Sequence, residues 1–382
     1  MRKIDQPNIC KICGVKDDGI SESLEICVNC IRNKSKVSSQ FINKAHSSSR
    51  EFYGLRTTPP KSSGGIKCNL CSNECIIGDG EKGFCGLREV KDGKLFSLTN
   101  ANEGVMHSYK DPHITNCCAA WFCPGGTGVG YPKYSYSKGK SENGYSNLAV
   151  FLYGCNFDCL FCQNSSHKNI EQGEIISSKD FVNNVVSDNS YSCICYFGGS
   201  PEPQLPFVIN ASNNIIDESL KNNRIMRICY EWNGCGNPKL VREAAETSLA
   251  SGGNMKFDLK CFDPKLSLAL SGVSNERAYQ NFEMIVNEFI RKRSDLPLLT
   301  ATTLLVPHYV DIQEVGAISK FISELDPEIP YSLLIFHPDY YMSDIPITPK
   351  KQVSECFKIA KKNLKNVHLG NIHLLGASWL YV

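Results

Sequence analysis

The sequence has no apolar run near the roughly 18–20 residues that span a bilayer, so no membrane partner is expected from it. Its first residues, Met1-Arg2-Lys3-Ile4-Asp5-Gln6-Pro7, lack the apolar core of a secretory signal. The expected compartment is therefore the cytoplasm. Charge of one sign is not in excess either: 41 Lys and Arg stand against 39 Asp and Glu, a formal net charge of +2. That balance gives no electrostatic reason to expect a nucleic-acid partner. No internal repeat is visible. What the chain does have is cysteine, 20 in 382 residues, beside an ordinary 42% of apolar residues. With no secretory signal, a disulfide framework explains so many thiols poorly. Thiolates in a reducing compartment hold metals, and spacing must say which ones do.

The cysteines fall into four clusters. Cys10-x2-Cys13 and Cys27-x2-Cys30 have the paired spacing of a zinc ribbon, each pair supplying half of a tetrahedron. A segment of about 30 residues builds no core of its own, so an organising metal makes sense. Zinc is expected there, with a rubredoxin-like iron as the alternative. Cys68, Cys71, Cys75 and Cys85 form a second set that suits either zinc or a second iron–sulfur cluster. Cys117, Cys118 and Cys123 precede Gly125-Gly126-Thr127-Gly128-Val129-Gly130. A nucleotide-loop reading fails, because no Lys-Ser/Thr follows and the strand–loop–helix context is missing. This loop is expected across the mouth of the fold, its three thiols being candidate substrate-site groups. The fourth cluster is Cys155-Asn-Phe-Asp-Cys159-Leu-Phe-Cys162.

From Asn147 onward, short β-branched runs alternate with segments of helical period. Strands are expected at 147–153, 192–197, 225–230, 255–259, 299–305 and 331–336. Helices are expected at 275–292, 311–325 and 349–364, the second opening on Asp311 and Glu314 in capping-box spacing, the third on Thr348-Pro349. Such alternation implies parallel strands joined by right-handed crossovers. Six units are too few for a closed eight-fold barrel, so the expected fold is α/β, a partial (β/α)6 barrel. The expected organisation is a zinc-ribbon-like extension over 1–31, a basic Ser/Pro/Gly-rich linker over 32–66, a Cys-rich region and loop over 67–145, and the barrel over 146–382.

The triplet at 155–162 follows the first barrel strand, in the loop at its carboxyl end, where parallel α/β folds carry their active sites. A C-x3-C-x2-C loop can place thiolates on three corners of a [4Fe–4S] cubane and leave the fourth iron open. The alternatives are three buried cysteines or a zinc site. Structural zinc takes four ligands, and the nearest further donor, His167, stands five residues on.

From about Lys67 to its end the chain resembles the radical S-adenosylmethionine (SAM) superfamily. Within it the resemblance is to the glycyl-radical (pyruvate formate-lyase) activating enzymes, and closer still to the AmmeMemoRadiSam-like family. The resemblance implies a [4Fe–4S] cluster on Cys155, Cys159 and Cys162, with SAM bound at its open iron. It places Phe161 near the adenine and the turn Gly198-Gly199-Ser200-Pro201-Glu202-Pro203 near the methionine amino group, with Ser200 standing where activating enzymes have Glu. In Lys256-Phe257-Asp258-Leu259-Lys260 it brings Asp258 and Lys260 to SAM, and His337 likewise in Leu334-Ile335-Phe336-His337-Pro338. Glu231-Trp232-Asn233-Gly234 matches a cation-binding Asp-Thr-Asn-Gly motif, which makes Glu231 a candidate cation ligand.

The function so implied is reductive cleavage of SAM to a 5′-deoxyadenosyl radical that abstracts hydrogen from a protein or peptide. Reduced flavodoxin or ferredoxin would be the electron donor. A radical C-methyltransferase is the alternative; some use cobalamin, but the sequence shows no recognisable cobalamin-binding domain. The third reading, from a different class, is a non-catalytic metal-binding adaptor, against which the open iron and the set Asp258, Lys260 and His337 argue.

Overall fold

The alternation of strands and helices is realised as a nine-stranded sheet in a computed structural model that describes residues 8–376. In chain order its strands are β1 (Glu103–Pro112), β2 (Ser146–Leu152), β3 (Glu174–Ser177), β4 (Tyr191–Gly198), β5 (Arg227–Trp232), β6 (Met255–Asp258), β7 (Leu299–Leu305), β8 (Tyr331–Ile335) and β9 (Val367–Gly370). They lie in the order β9-β8-β7-β6-β5-β4-β2-β1-β3, and the two edges do not meet. The seven strands from β9 to β2 are parallel, while β1 pairs antiparallel with both β2 and β3. The open, partial barrel is as expected, with one parallel strand more than the six foreseen. The extra strand, Val-His-Leu-Gly, is too short to show an alternation.

Every residue of β2 and β7 is buried, which explains why apolar and β-branched residues dominate both. The helix over Glu276–Phe289 buries Ala278, Phe282, Ile285, Val286 and Phe289, the stripe that its sequence displays. Asp311 caps the helix over Ile312–Leu325, accepting from the N–H groups of Gln313 (3.0 Å) and Glu314 (3.2 Å). The capping box does not close, because the Glu314 carboxylate turns away to accept from Phe262 N–H (2.6 Å). Thr348 does not cap its helix either: its Oγ1 accepts from Phe336 N–H and donates to Leu305 O, tying β7 to β8.

The segment read as a surface linker is something else. Residues 35–51 form a helix, with Ser38, Ala45, His46, Ser49 and Arg50 buried. We label the helices of this region α1 (Val28–Asn33) and α2 (Ser35–Glu51). Serine and lysine hid the helix because the groups that it buries are polar and find their partners elsewhere in the chain.

Candidate active site

Strand β2 ends at Leu152, and the loop that follows brings Cys155, Cys159 and Cys162 to the wall of a cavity of about 170 Å³. Phe161, Gly198, Gly199, Ser200, Glu231, Asp258 and Lys260 line the same cavity. His337 does not: its side chain is 55% exposed, 3.8 Å from Asp339.

The loop is held from below. Asp158, fully buried, meets His46 Nδ1 at 2.7 Å, accepts from Ser49 Oγ at 2.5 Å and pairs with Lys168. Burial works to raise its pKa, but the His46 hydrogen bond and the charges of Lys168 and Arg50 outweigh it and hold the carboxyl well below the usual range. Asn156 exchanges hydrogen bonds with Asn233 (2.7 and 3.2 Å), and Asn233 Nδ2 donates to Ser200 Oγ at 2.9 Å. Ser200 in turn donates to the buried Glu202, which also accepts from Gly234 N–H at 2.7 Å. One polar network thus ties the cysteine loop to the ends of β4 and β5. The glycines at the end of β4 are required by space: a Cβ at Gly199 would lie 2.2 Å from Gly154 O.

Burial pushes all three thiols up, Cys162 to about 12; Cys159 adds to the shift of Cys155 and Cys162, while Lys260 and Ser271 oppose that of Cys159. A centre that takes them as thiolates must therefore release protons and supply positive charge. Opposite them, Lys260 pairs with Asp258 and lies 5.6 Å from the Phe161 ring centroid. Among the described residues, Nδ1 of the cavity-lining His167 has no hydrogen-bond partner; nor has Trp232 Nε1, but that ring packs against Tyr230 and Phe257 on the helix side of the sheet. Burial, reinforced by Lys168, lowers His167 to about 3 and keeps its ring neutral.

The other cysteines separate by geometry. The sulfurs of Cys10, Cys13, Cys27 and Cys30 all lie within 4.8 Å of one another, with Cys10–Cys30 and Cys13–Cys27 each at 3.7 Å. Bonds of about 2.3 Å in a tetrahedron separate sulfurs by about 3.8 Å, so this set fits a single ion. Among the described residues, neither Cys155, Cys159 and Cys162 nor Cys68, Cys71, Cys75 and Cys85 are drawn together that tightly. The latter set packs beside the barrel: Cys68 N–H donates to Cys75 O (2.8 Å), Ser72 N–H donates to Cys235 O (2.8 Å), and Asn73 Nδ2 donates to Asn156 O (2.7 Å). Burial, with the charges of Cys85 and Cys68, pushes Cys75 up to about 11. Cys117 and Cys118 line a second cavity of about 710 Å³ that shares Gln163, Asn164, Phe197, Glu231 and Leu334 with the first. Cys123 lies behind them, against Cys193 and Cys229.

A profile of the Radical SAM superfamily matches residues 149–322, the span that carries the cysteine loop and β4 to β7. That segment is thus a radical SAM domain. The domain supports an enzyme of the radical SAM class. The protein MJ0808 of Methanocaldococcus jannaschii is 25% identical over 80% of this chain and 81% of its own. A putative glycyl-radical enzyme activating enzyme of that organism, MJ1227, is 24% identical over 60% of this chain and 90% of its own. Among solved structures, Streptococcus suis SuiB bound to its precursor peptide SuiA superposes with a TM-score of 0.42 at 17% identity, over 59% of this chain and 48% of SuiB.

The family implies a [4Fe–4S] cluster and SAM, and the residues present fit both. Three clustered sulfurs, spread more widely than one ion takes, face a cavity lined also by His167, whose buried Nδ1 has no partner among the described residues, and by a charged pair. Sequence reasoning missed His167, Asn156 and Asn233. His167 stood out only as a remote fourth metal ligand.

Proposed function

We propose that the chain cleaves SAM reductively at a [4Fe–4S] cluster held by Cys155, Cys159 and Cys162, and abstracts hydrogen from a protein or peptide. The observation that carries this reading is the convergence of those three thiols with Asp258, Lys260 and Phe161 on one cavity at the carboxyl ends of the parallel strands. When bound, the cluster and SAM supply the 5′-deoxyadenosyl radical; the chain's part is to position them.

In this reading Gly198 and Gly199 let the end of β4 approach the bound group closely, and Ser200, Asn233 and Glu202 fix that turn. The neutral His167 ring offers Nδ1. Lys260 brings a positive charge to the cysteine side and Asp258 a negative one. Cys10, Cys13, Cys27 and Cys30 hold a structural zinc ion. Cys68, Cys71, Cys75 and Cys85 form a further metal site, zinc or iron–sulfur. Reduced flavodoxin or ferredoxin supplies the electron.

A macromolecular substrate is supported by the printed name of MJ1227 and by the second cavity, which opens beside the first and is large enough for a side chain or a short loop. The test is anaerobic. The protein is reconstituted with iron and sulfide, then given SAM and dithionite, and 5′-deoxyadenosine is followed by chromatography. Release by the wild type, and none by a variant with Ala at 155, 159 and 162, is the expected result. A well-loaded cluster that neither binds nor cleaves SAM would sink the proposal.

A further inference from the structure

Two of the thiols outside the cysteine loop meet a carboxylate at the boundary between the two cavities. The sulfurs of Cys117 and Cys118 and a carboxylate oxygen of Glu231, at the end of β5, all lie within 4.8 Å of one another. All three residues are half-buried, and all three line the larger cavity. Each sulfur has donors aimed at it. Lys256 Nζ lies 3.0 Å from Cys117 Sγ, Ala119 N–H donates to the same sulfur at 3.4 Å, and Thr302 Oγ1 donates to Cys118 Sγ at 3.3 Å. Lys256 Nζ is also 3.0 Å from Glu231 Oε2.

We propose that Cys117, Cys118 and Glu231 form a site for one thiophilic divalent ion, zinc by class, with a fourth coordination position open to the larger cavity. The charge count supports it. Two thiolates and a carboxylate carry three negative charges, and the buried Lys256 ammonium offsets only one of them. A divalent ion offsets the other two and leaves the site neutral, as burial demands. Soft sulfur donors with one oxygen suit zinc and disfavour a hard monovalent ion, so Glu231 is reassigned from the cation role that its motif implies. Lys256 and Thr302 are outer partners that orient the ligands; while protonated, Lys256 cannot be a ligand itself. Three protein ligands with one face towards a cavity is the arrangement of an ion that binds a further molecule, unlike the closed four-sulfur ribbon. The open position therefore takes a sulfur, nitrogen or oxygen donor of whatever occupies the larger cavity. The site uses none of Cys155, Cys159 and Cys162, so the inference does not depend on SAM cleavage.

The test is a metal count on the full-length, anaerobically purified protein, titrated with Zn(II) against a chromophoric chelator and then with Co(II). The wild type should bind one equivalent more than Cys117→Ser/Cys118→Ser, whereas Cys13→Ser/Cys27→Ser should lose a different equivalent. Glu231→Gln, a change at a half-exposed strand end, should keep the fold and weaken that equivalent about tenfold or more. The Co(II) spectrum of the same equivalent should shift when a small thiol is added. Wild-type ion number and affinity in both the double variant and Glu231→Gln would overturn the site. A cobalt spectrum indifferent to added thiol would overturn its open position. Failure of 5′-deoxyadenosine release would leave these counts unchanged, so the two readings fail separately.

Discussion

Asp158, in the cysteine loop, lies 2.7 Å from Nδ1 of His46, a residue 112 positions earlier on α2. The other ring nitrogen of His46 faces the carbonyl oxygens of Leu268 and Ala269 at 3.1 Å. The helix that looked like linker is thus hydrogen-bonded to the loop that holds the three thiols. His46→Ala removes a donor from a buried carboxylate and should cost about 1–3 kcal/mol. Asp158→Asn leaves Lys168 and Arg50 without their counter-charge and should cost more, about 3–5 kcal/mol. Chemical denaturation of the three proteins checks both, and wild-type midpoints would show that the contact bears no load.

Gly199→Ala should damage the site while sparing the fold. The new Cβ would lie 2.2 Å from Gly154 O and 2.9 Å from His167 Cγ, so the end of β4 must move away from the cysteine loop. The strain should cost about 1–3 kcal/mol, whereas a shift near 1 Å in a positioning turn lowers activity on the order of a hundredfold. Equilibrium binding of SAM to the reconstituted protein, together with 5′-deoxyadenosine release, separates the two effects. Wild-type SAM binding in this variant would show that the turn does not touch the cofactor.

Much of this arrangement was legible in the sequence, for physical reasons. The barrel strands announced themselves because burial favours short runs of apolar and β-branched residues, and the helix over Glu276–Phe289 because one face must pack. The cysteine loop was visible because metal-ligand spacing is local. What stayed hidden is non-local or polar. Strand β1 exposes most of its side chains after Met106, so it has no apolar pattern to read. Strand β5 runs two residues later than foreseen, and this puts Glu231 and Trp232 on the sheet. The pairing of Asp158 with His46, and of Asn156 with Asn233, joins residues that no spacing rule connects.

Glu202 makes the stability of the network depend on pH. Burial raises its carboxyl to about 7, against the opposing hydrogen bonds from Ser200 and Gly234. A group whose folded pKa is raised stabilises the fold fully below its unfolded value of 4.5, and that contribution is lost as pH rises through about 7. The loss should be on the order of 3 kcal/mol, since each unit is worth about 1.4 kcal/mol. Glu202→Gln, which stays neutral, should flatten the stability curve between pH 5 and pH 8 in denaturant titrations. An unchanged slope in the variant would assign the pH dependence to another group.

The cysteine ribbon is fastened to the segment after β7, at the carboxyl end of the barrel strands, and its metal should decide whether it stays there. Tyr309 Oη donates to Ile26 O at 2.9 Å and accepts from Ser21 N–H at 3.2 Å, while Arg32 bridges Asp311 and Glu314 at 3.0 and 2.8 Å. Ser38 Oγ, on α2, donates to Cys30 O at 2.9 Å, so the ribbon also anchors the start of the helix that carries His46. So small a segment has little core of its own, and without a metal it should unfold locally. Cys13→Ser/Cys27→Ser should therefore open residues 8–34 to protease while the barrel resists. It should also lower the melting temperature, because α2 loses its anchor and Asp158 some of its partners. Mass spectrometry of timed digests gives the order of cleavage. Cuts that begin in the barrel, or a ribbon as resistant as in the wild type, would mean that the four thiols are not what holds this segment in place.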